Sequence, residues 1–260
     1  MGITGTAVSK ESADIVLADD NFASIAAAVE EGRRVYDNLV KALAFVLPTN
    51  VGFALVILLS VLVFPIENGF PLLPMEPVQL FWINLVATVA LALPLAFEAK
   101  EPDLMRRPPR RPDASILSRF LLARTALVAA LMTAGAVGLF LWEYYVEIDR
   151  GVAPATALAE AQTMAVTTVI LFQIFYLLNC RSLRDSVLAI GLWTNPTVYL
   201  GIGTLLVLQL GFVYLPFMQD LFGSAGLAAG AWMAALAVSL AVLPVITVEK
   251  RLRQRRRPAA

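Results

Sequence analysis

Apolar residues run through this chain in six blocks, roughly 39–64, 78–97, 120–145, 161–179, 198–218 and 226–248, separated by short polar connectors. Each block supplies the ~20 residues a helix needs to cross a hydrocarbon core of about 30 Å. The pattern predicts an all-α polytopic membrane protein with six transmembrane helices. Ahead of the first block, Ile25, Val29, Val35 or Tyr36, and Leu39 recur at helical spacing, with Glu30, Glu31, Arg33 and Arg34 assigned to the water-facing side. Asp20 or Asn21 is a suitable N-cap, and Gly32 weakens such a helix without ending it. An unbroken helix over 22–64 would be about 65 Å long, twice the thickness of the hydrocarbon core, and reads as a cytoplasmic stalk feeding into the membrane.

Residues 1–21 are the part that reads as soluble. Ile15, Val16 and Leu17 look like a short buried strand. A segment this short buries no core of its own, so the strand is expected to pair with a sheet outside these residues.

Composition supports the membrane reading: 59% of residues are apolar and the mean hydropathy is +0.75, too high for one soluble domain. Lys and Arg number 20, as do Asp and Glu, and nothing in this balance implies a nucleic-acid partner. Placement is more informative. With both termini cytoplasmic, Arg150 is the only Lys or Arg in an outer loop, which satisfies the positive-inside bias. The outer loops carry Glu67, Glu76, Glu143, Glu147, Asp149, Glu160 and Asp220 instead. Cys180 is the single cysteine, so there is no disulfide framework, and it reads as inert filling. The first residues lack the basic start and apolar core of a signal peptide.

Two of the apolar blocks are interrupted by polar residues. The stretch 44–59 contains Pro48, Thr49 and Asn50, and the stretch 81–94 contains Asn84, Thr88 and Pro94. Proline removes the hydrogen bond to the carbonyl four residues earlier, which frees Ala44 and Ala90. Asn84 and Thr88, four apart, project from one helix face. These groups form a candidate ring of oxygens at mid-membrane. The alternative, that they knit helices together through hydrogen bonds worth roughly 0.6 to 2 kcal/mol, stays open.

Gln173, Tyr176 and Asn179 form a second polar stripe, for which helix packing is the simpler reading. Gly201, Gly203, Gly211, Gly226 and Gly230 read as close helix crossings. The linker 101–112, rich in proline and arginine, belongs at the inner membrane surface, and the basic cluster 250–257 suits anionic lipid headgroups.

The residues at 14–25, Asp-Ile-Val-Leu-Ala-Asp-Asp-Asn-Phe-Ala-Ser-Ile, and at 29–38, Val-Glu-Glu-Gly-Arg-Arg-Val-Tyr-Asp-Asn, carry a resemblance. They resemble the end of the phosphorylation domain and the stalk of P-type cation-transporting ATPases of the calcium-pump-like class. Trp-Ile-Asn-Leu-Val at 82–86 and Met-Arg-Arg-Pro-Pro-Arg at 105–110 are similar to two further signatures of that class. The resemblance implies a remnant of the α/β, HAD-like phosphorylation domain at 1–21, a stalk helix at 22–38, a six-helix cation-transport domain at 39–248 and a basic cytoplasmic tail at 249–260.

It also implies a transported-cation site at Asn50, Asn84, Thr88, Thr49 and Gln173, and coupling roles for Asp20, Arg33, Pro48 and Pro94. ATP and Mg²⁺ are then cofactors of the full-length pump, with none in this chain, and the catalytic domains lie upstream in the same or a separate chain. The expected location is the plasma membrane.

Departures from the class are specific. Where calcium pumps have a glutamate after Asn-Val-Gly, Phe53 stands here; Ala87 and Thr88 replace the threonine and aspartate after Asn-Leu-Val; Gln173 occupies the place of a further membrane acid. The resemblance therefore leaves the cation open. The sequence has no aspartyl-phosphate motif and no phosphate-cradling glycine loop, so these residues alone are not expected to hydrolyse ATP. Two other classes fit the same pattern: an independent six-helix channel or passive carrier, and a non-catalytic membrane subunit of a split pump.

Overall fold

A computed structural model describes residues 1–67, 70–110, 115–183 and 191–255. A short helix, α1 (Ala7–Glu11), is capped by the Thr6 side chain, which accepts from the Ser9 amide. The stalk follows as α2 (Ala23–Val63), 41 residues without a break, about 60 Å at the helical rise. Its N-cap is Phe22 rather than Asp20 or Asn21, although the Asn21 side chain still takes the Ala23 N–H at 3.0 Å. A two-residue antiparallel pair, β1 (Ile66–Glu67) with β2 (Phe70–Pro71), lies between the first two spans.

Helix α3 (Pro77–Ala87) starts with Pro77 in its first turn and a capping box between Glu76 and Gln79. It then widens into a π-helical turn, Thr88–Ala92, before a last turn, Leu93–Leu95. The widening has a local cause: Pro94 lacks the N–H that the Ala90 carbonyl needs, and the ladder relaxes by a larger turn. Two long antiparallel helices follow, α4 (Arg119–Asp149) and α5 (Pro154–Cys180), joined through Gly151 at φ 81°.

The last two blocks are less regular than their hydropathy predicts. The fifth divides into α6 (Pro196–Tyr214) and α7 (Pro216–Phe222), and the sixth into α8 (Ala229–Leu240) and α9 (Val242–Arg255). Each break precedes a proline: Pro216 follows Leu215 directly, and Pro244 provides no N–H for the Leu240 carbonyl.

Among the described residues, six helical stretches are long and apolar enough to span a membrane. Helix α5 is the central pillar: 89% of its apolar window is buried, against 28–44% in the other five. Helices α2, α4 and α8 pack around it, and the core includes Phe45, Val56, Met132, Phe140, Val166, Ile170 and Ala235.

Three expectations need correction. Ile15–Leu17 is not a strand: Ile15 is 79% exposed and the Leu17 carbonyl accepts from Gly2, because no neighbouring strand among the described residues offers a ladder. On the stalk, the face expected to be buried is turned outward, with Ile25, Val29, Val35 and Leu39 all exposed, while Arg33 is half-buried and Asn38 and Lys41 are buried against the bundle. Among the glycines, Gly201 sits at a close crossing, where a Cβ would overlap the Ala90 carbonyl oxygen. Gly203, Gly226 and Gly230 have open space around them instead, and a Cβ on Gly211 would meet only Leu215. Arg111 and Pro112 of the linker and residues 256–260 of the tail lie outside the described residues.

Gly201→Ala is therefore expected to push α6 off the π turn and to cost about 1–3 kcal/mol. Gly203→Ala, by contrast, should change stability by no more than about 0.5 kcal/mol. Thermal unfolding of the two variants in the same detergent checks the difference.

Candidate cation site

Pro48 and its neighbours place three side chains within one turn of α2. Thr49 is buried and its hydroxyl donates back to the Phe45 and Val46 carbonyls at 3.2 and 2.9 Å. Asn50 donates its Nδ2 to the Val46 carbonyl at 2.9 Å. On α3, Asn84 makes the equivalent bond to Leu80 at 3.2 Å, and Thr88 opens the π turn. Each amide thus uses its donor on its own helix, and among the described residues its oxygen, the atom a cation seeks, has no hydrogen bond.

Asn50 lies about 17 Å along α2 from Leu39, near the middle of a ~30 Å hydrocarbon core, yet its side chain is exposed. Asn84 and Thr88 are half-buried. Among the described residues no hydrogen bond joins the α2 group to the α3 group, although α2 packs against the π turn that Thr88 opens.

One of the two freed carbonyls is already claimed. Tyr176 on α5 donates its hydroxyl to the Ala44 carbonyl at 2.6 Å, fully buried and stacked on Phe45. The group that Pro48 releases is therefore already paired. The Ala90 carbonyl is pressed against the Gly201 backbone.

The stripe of Gln173, Tyr176 and Asn179 consequently divides. Tyr176 is a helix-to-helix tie, and the Asn179 carbonyl accepts from Lys250 at 2.8 Å. Gln173 is 2% exposed and its Oε1 has no partner, which keeps it compatible with a neutral ligand, although nothing bonds it to Asn50 or Asn84.

At the stalk end of the bundle the structure assembles a polar knot that the sequence reading did not find. Glu98 and Arg181 are both fully buried, with Nη2 to Oε1 at 2.9 Å and Nε to the two carboxylate oxygens at 3.2 and 3.3 Å. Asn195, the N-cap of α6, donates to Glu98 at 3.0 Å and to the Pro94 carbonyl at 2.9 Å. Asn38 on the stalk donates to the Ala96 and Glu98 carbonyls at 3.1 and 2.9 Å, and Arg33 to the Leu104 and Arg107 carbonyls at 3.0 and 2.8 Å. Arg107 pairs with Asp103, Glu101 and Asp37, and these contacts, Asp103 foremost, raise its pKa above the ordinary arginine value. The available signal was the opposite charge of Glu98 and Arg181 at the ends of two apolar blocks.

Of the four coupling candidates, Arg33 and Pro94 touch this knot, and Pro48 lies deeper in α2. Asp20 is elsewhere. At φ 54° its carboxylate folds back onto the first residues, accepting from the Thr4 hydroxyl at 2.5 Å and from the Ile3 and Thr4 amides at 3.0 and 2.7 Å. The Thr4 hydroxyl above all, with these amides, holds its pKa well below the usual carboxylate range.

These six apolar spans and the two interrupted helices define an integral, multi-pass membrane protein. Residues 72–252 match the family described as "Cation transporting ATPase, C-terminus", and the chain belongs to that family. Similar proteins include Probable cation-transporting ATPase F of Mycobacterium tuberculosis (strain ATCC 25618 / H37Rv), 42% identical over 97% of this chain and 26% of that protein. Cation-transporting ATPase pma1 of Synechocystis is 38% identical over 97% of this chain and 27% of its own length. Calcium-transporting ATPase of Bacillus subtilis is 32% identical over 99% and 27%. The chain spans about a quarter of the length of these relatives. The resemblance read from residues 14–38, 82–86 and 105–110 is thereby borne out.

Two predictions follow from the geometry. Tyr176→Phe leaves the Ala44 carbonyl buried without a donor and is expected to cost about 1–3 kcal/mol in denaturant unfolding. For Asp20, a folded-state pKa below the unfolded value means that the contact contributes above the ordinary aspartate pKa of about 3.9 and is lost as pH falls through the depressed value. Hydrogen exchange at the Ile3 and Thr4 amides, corrected for intrinsic rates, should keep its protection at about pH 5 and lose it only below the ordinary aspartate range.

Proposed function

We propose that this chain is the cation-translocating membrane portion of a P-type ATPase. Catalytic domains outside these residues use ATP and Mg²⁺, and their phosphorylation is coupled to passage of a cation past Asn50 and Asn84. One observation carries the reading: two proline-interrupted spans of a cation-ATPase family chain each hold an amide whose oxygen is uncommitted. An exposed amide at mid-membrane depth is costly in hydrocarbon, so Asn50 calls for further helices to cover it. In this reading such helices complete the site. Thr49, Thr88 and Gln173 add neutral oxygens.

A set without carboxylates binds Ca²⁺ weakly, because that ion favours 6 to 8 oxygens including acids. The transported ion is thus a monovalent cation, or a divalent one held with an acid from another segment. The printed names of the relatives, cation-transporting and calcium-transporting, are compatible with both. The names favour an ATP-driven pump over an independent channel or passive carrier.

Residues 1–21 serve as the end of the phosphorylation domain, 22–38 as the stalk, 39–248 as the transport domain and 249–260 as the basic tail. Both termini face the cytoplasm of a cell whose plasma membrane holds the pump, and the basic C-terminal tail meets anionic headgroups there. The outward-facing Ile25, Val29 and Val35 support contact between the stalk and the catalytic domains. Stalk motion reaches the second span through Arg33 and Asn38, which grip the carbonyls that follow Pro94.

Asn50→Ala combined with Asn84→Ala, introduced into the complete polypeptide, should abolish cation-stimulated ATP hydrolysis while basal phosphorylation by ATP persists. Unchanged cation activation would remove the site assignment.

A further inference from the structure

At the end of the bundle opposite the stalk, the α4–α5 hairpin brings together Glu143 and Glu147 from α4 and Glu160 from α5. One carboxylate oxygen from each lies within 4.8 Å of the others. Arg150 donates to Glu147 at 2.5 Å and is the one cation paired there, with its side chain 66% exposed. Three acids thus face one base.

Burial adds a second and separate observation. Glu143 is only 7% exposed, and among the described residues it has no hydrogen bond and no ion pair. An ionised carboxylate only accepts, so a largely buried one beside two others is stabilised by a positive partner.

We propose that Glu143, Glu147 and Glu160 bind a hard divalent cation of the Ca²⁺ class, which clamps the α4–α5 hairpin. The separation admits such an ion: ligand oxygens sit about 2.4 Å from a Ca²⁺, so any two of them lie no more than about 4.8 Å apart. The ligands are all oxygen, with no thiolate or imidazole, as a hard cation requires. The charge fits as well, since three carboxylates and Arg150 leave a net deficit that one divalent ion neutralises. This site is independent of Asn50 and Asn84, and either assignment can fail without the other.

Trp142, next to Glu143 in α4, is the tryptophan closest in sequence to the cluster and serves as the excitation donor. The test is Tb³⁺ luminescence excited through tryptophan, in the complete polypeptide reconstituted in nanodiscs, with Ca²⁺ as competitor. The expected result is a saturable, Ca²⁺-competed signal that is lost in Glu143→Gln with Glu160→Gln and kept in Asn50→Ala with Asn84→Ala. Glu143→Gln alone, which keeps two carboxylates, should shift half-saturation to higher Tb³⁺ and serves if the double variant does not fold. A signal absent from the parent protein, or unchanged in the cluster variants, would overturn the proposal and leave the acids as a proton-sharing group around Arg150.

Discussion

Hydrocarbon offers a backbone no hydrogen bonds, and most of this structure can be read as a response to that constraint. Two prolines inside spans each remove a ladder bond, and the consequences propagate outward from them. At Pro48 the freed Ala44 carbonyl is met by the Tyr176 hydroxyl, which ties the stalk helix to the central pillar α5. At Pro94 the helix instead widens into a π turn, and Gly201 lets α6 approach its Ala90 carbonyl. One interruption is answered by a tyrosine and the other by a glycine, and both answers come from another helix.

Those answers separate structural polar groups from candidate ligands. Tyr176 satisfies a carbonyl and is itself satisfied. Asn50 and Asn84 satisfy carbonyls in their own helices with one half of the amide and leave the other half free. The same reasoning distinguishes the two ends of the bundle. Near the stalk, each buried carboxylate has cationic or amide partners, whereas at the far end Glu143 has no hydrogen bond or ion pair among the described residues.

The six spans were legible because their length and apolarity leave few alternatives, and Asn50 and Asn84 stood out because an amide in an apolar run is conspicuous. Ile15 to Leu17 was legible only as a hydrophobic run, since a strand is defined by a neighbour. The bond from Tyr176 to Ala44 was not legible, because it joins residues 132 apart that nothing local relates. The stalk misled for a physical reason: its spacing identified an apolar face, but Arg33, Asn38 and Lys41 are the ones that meet the bundle, Arg33 and Asn38 on backbone carbonyls and Lys41 beside the Glu101 carboxylate.

That choice of acceptor bears on how the stalk holds its load in different media. Arg33, Asn38, Lys250 and Arg253 are all anchored on peptide carbonyls, at Leu104, Ala96, Asn179 and Leu183 among others. Carbonyls carry no net charge and do not titrate, so these ties escape much of the ionic screening that weakens exposed ion pairs within a Debye length of about 8 Å at physiological salt. The carbonyl-anchored part of the junction between stalk and membrane is thus a mechanical joint insulated from the ionic composition of the surrounding solution, while the Arg107–Asp37 ion pair beside it is not.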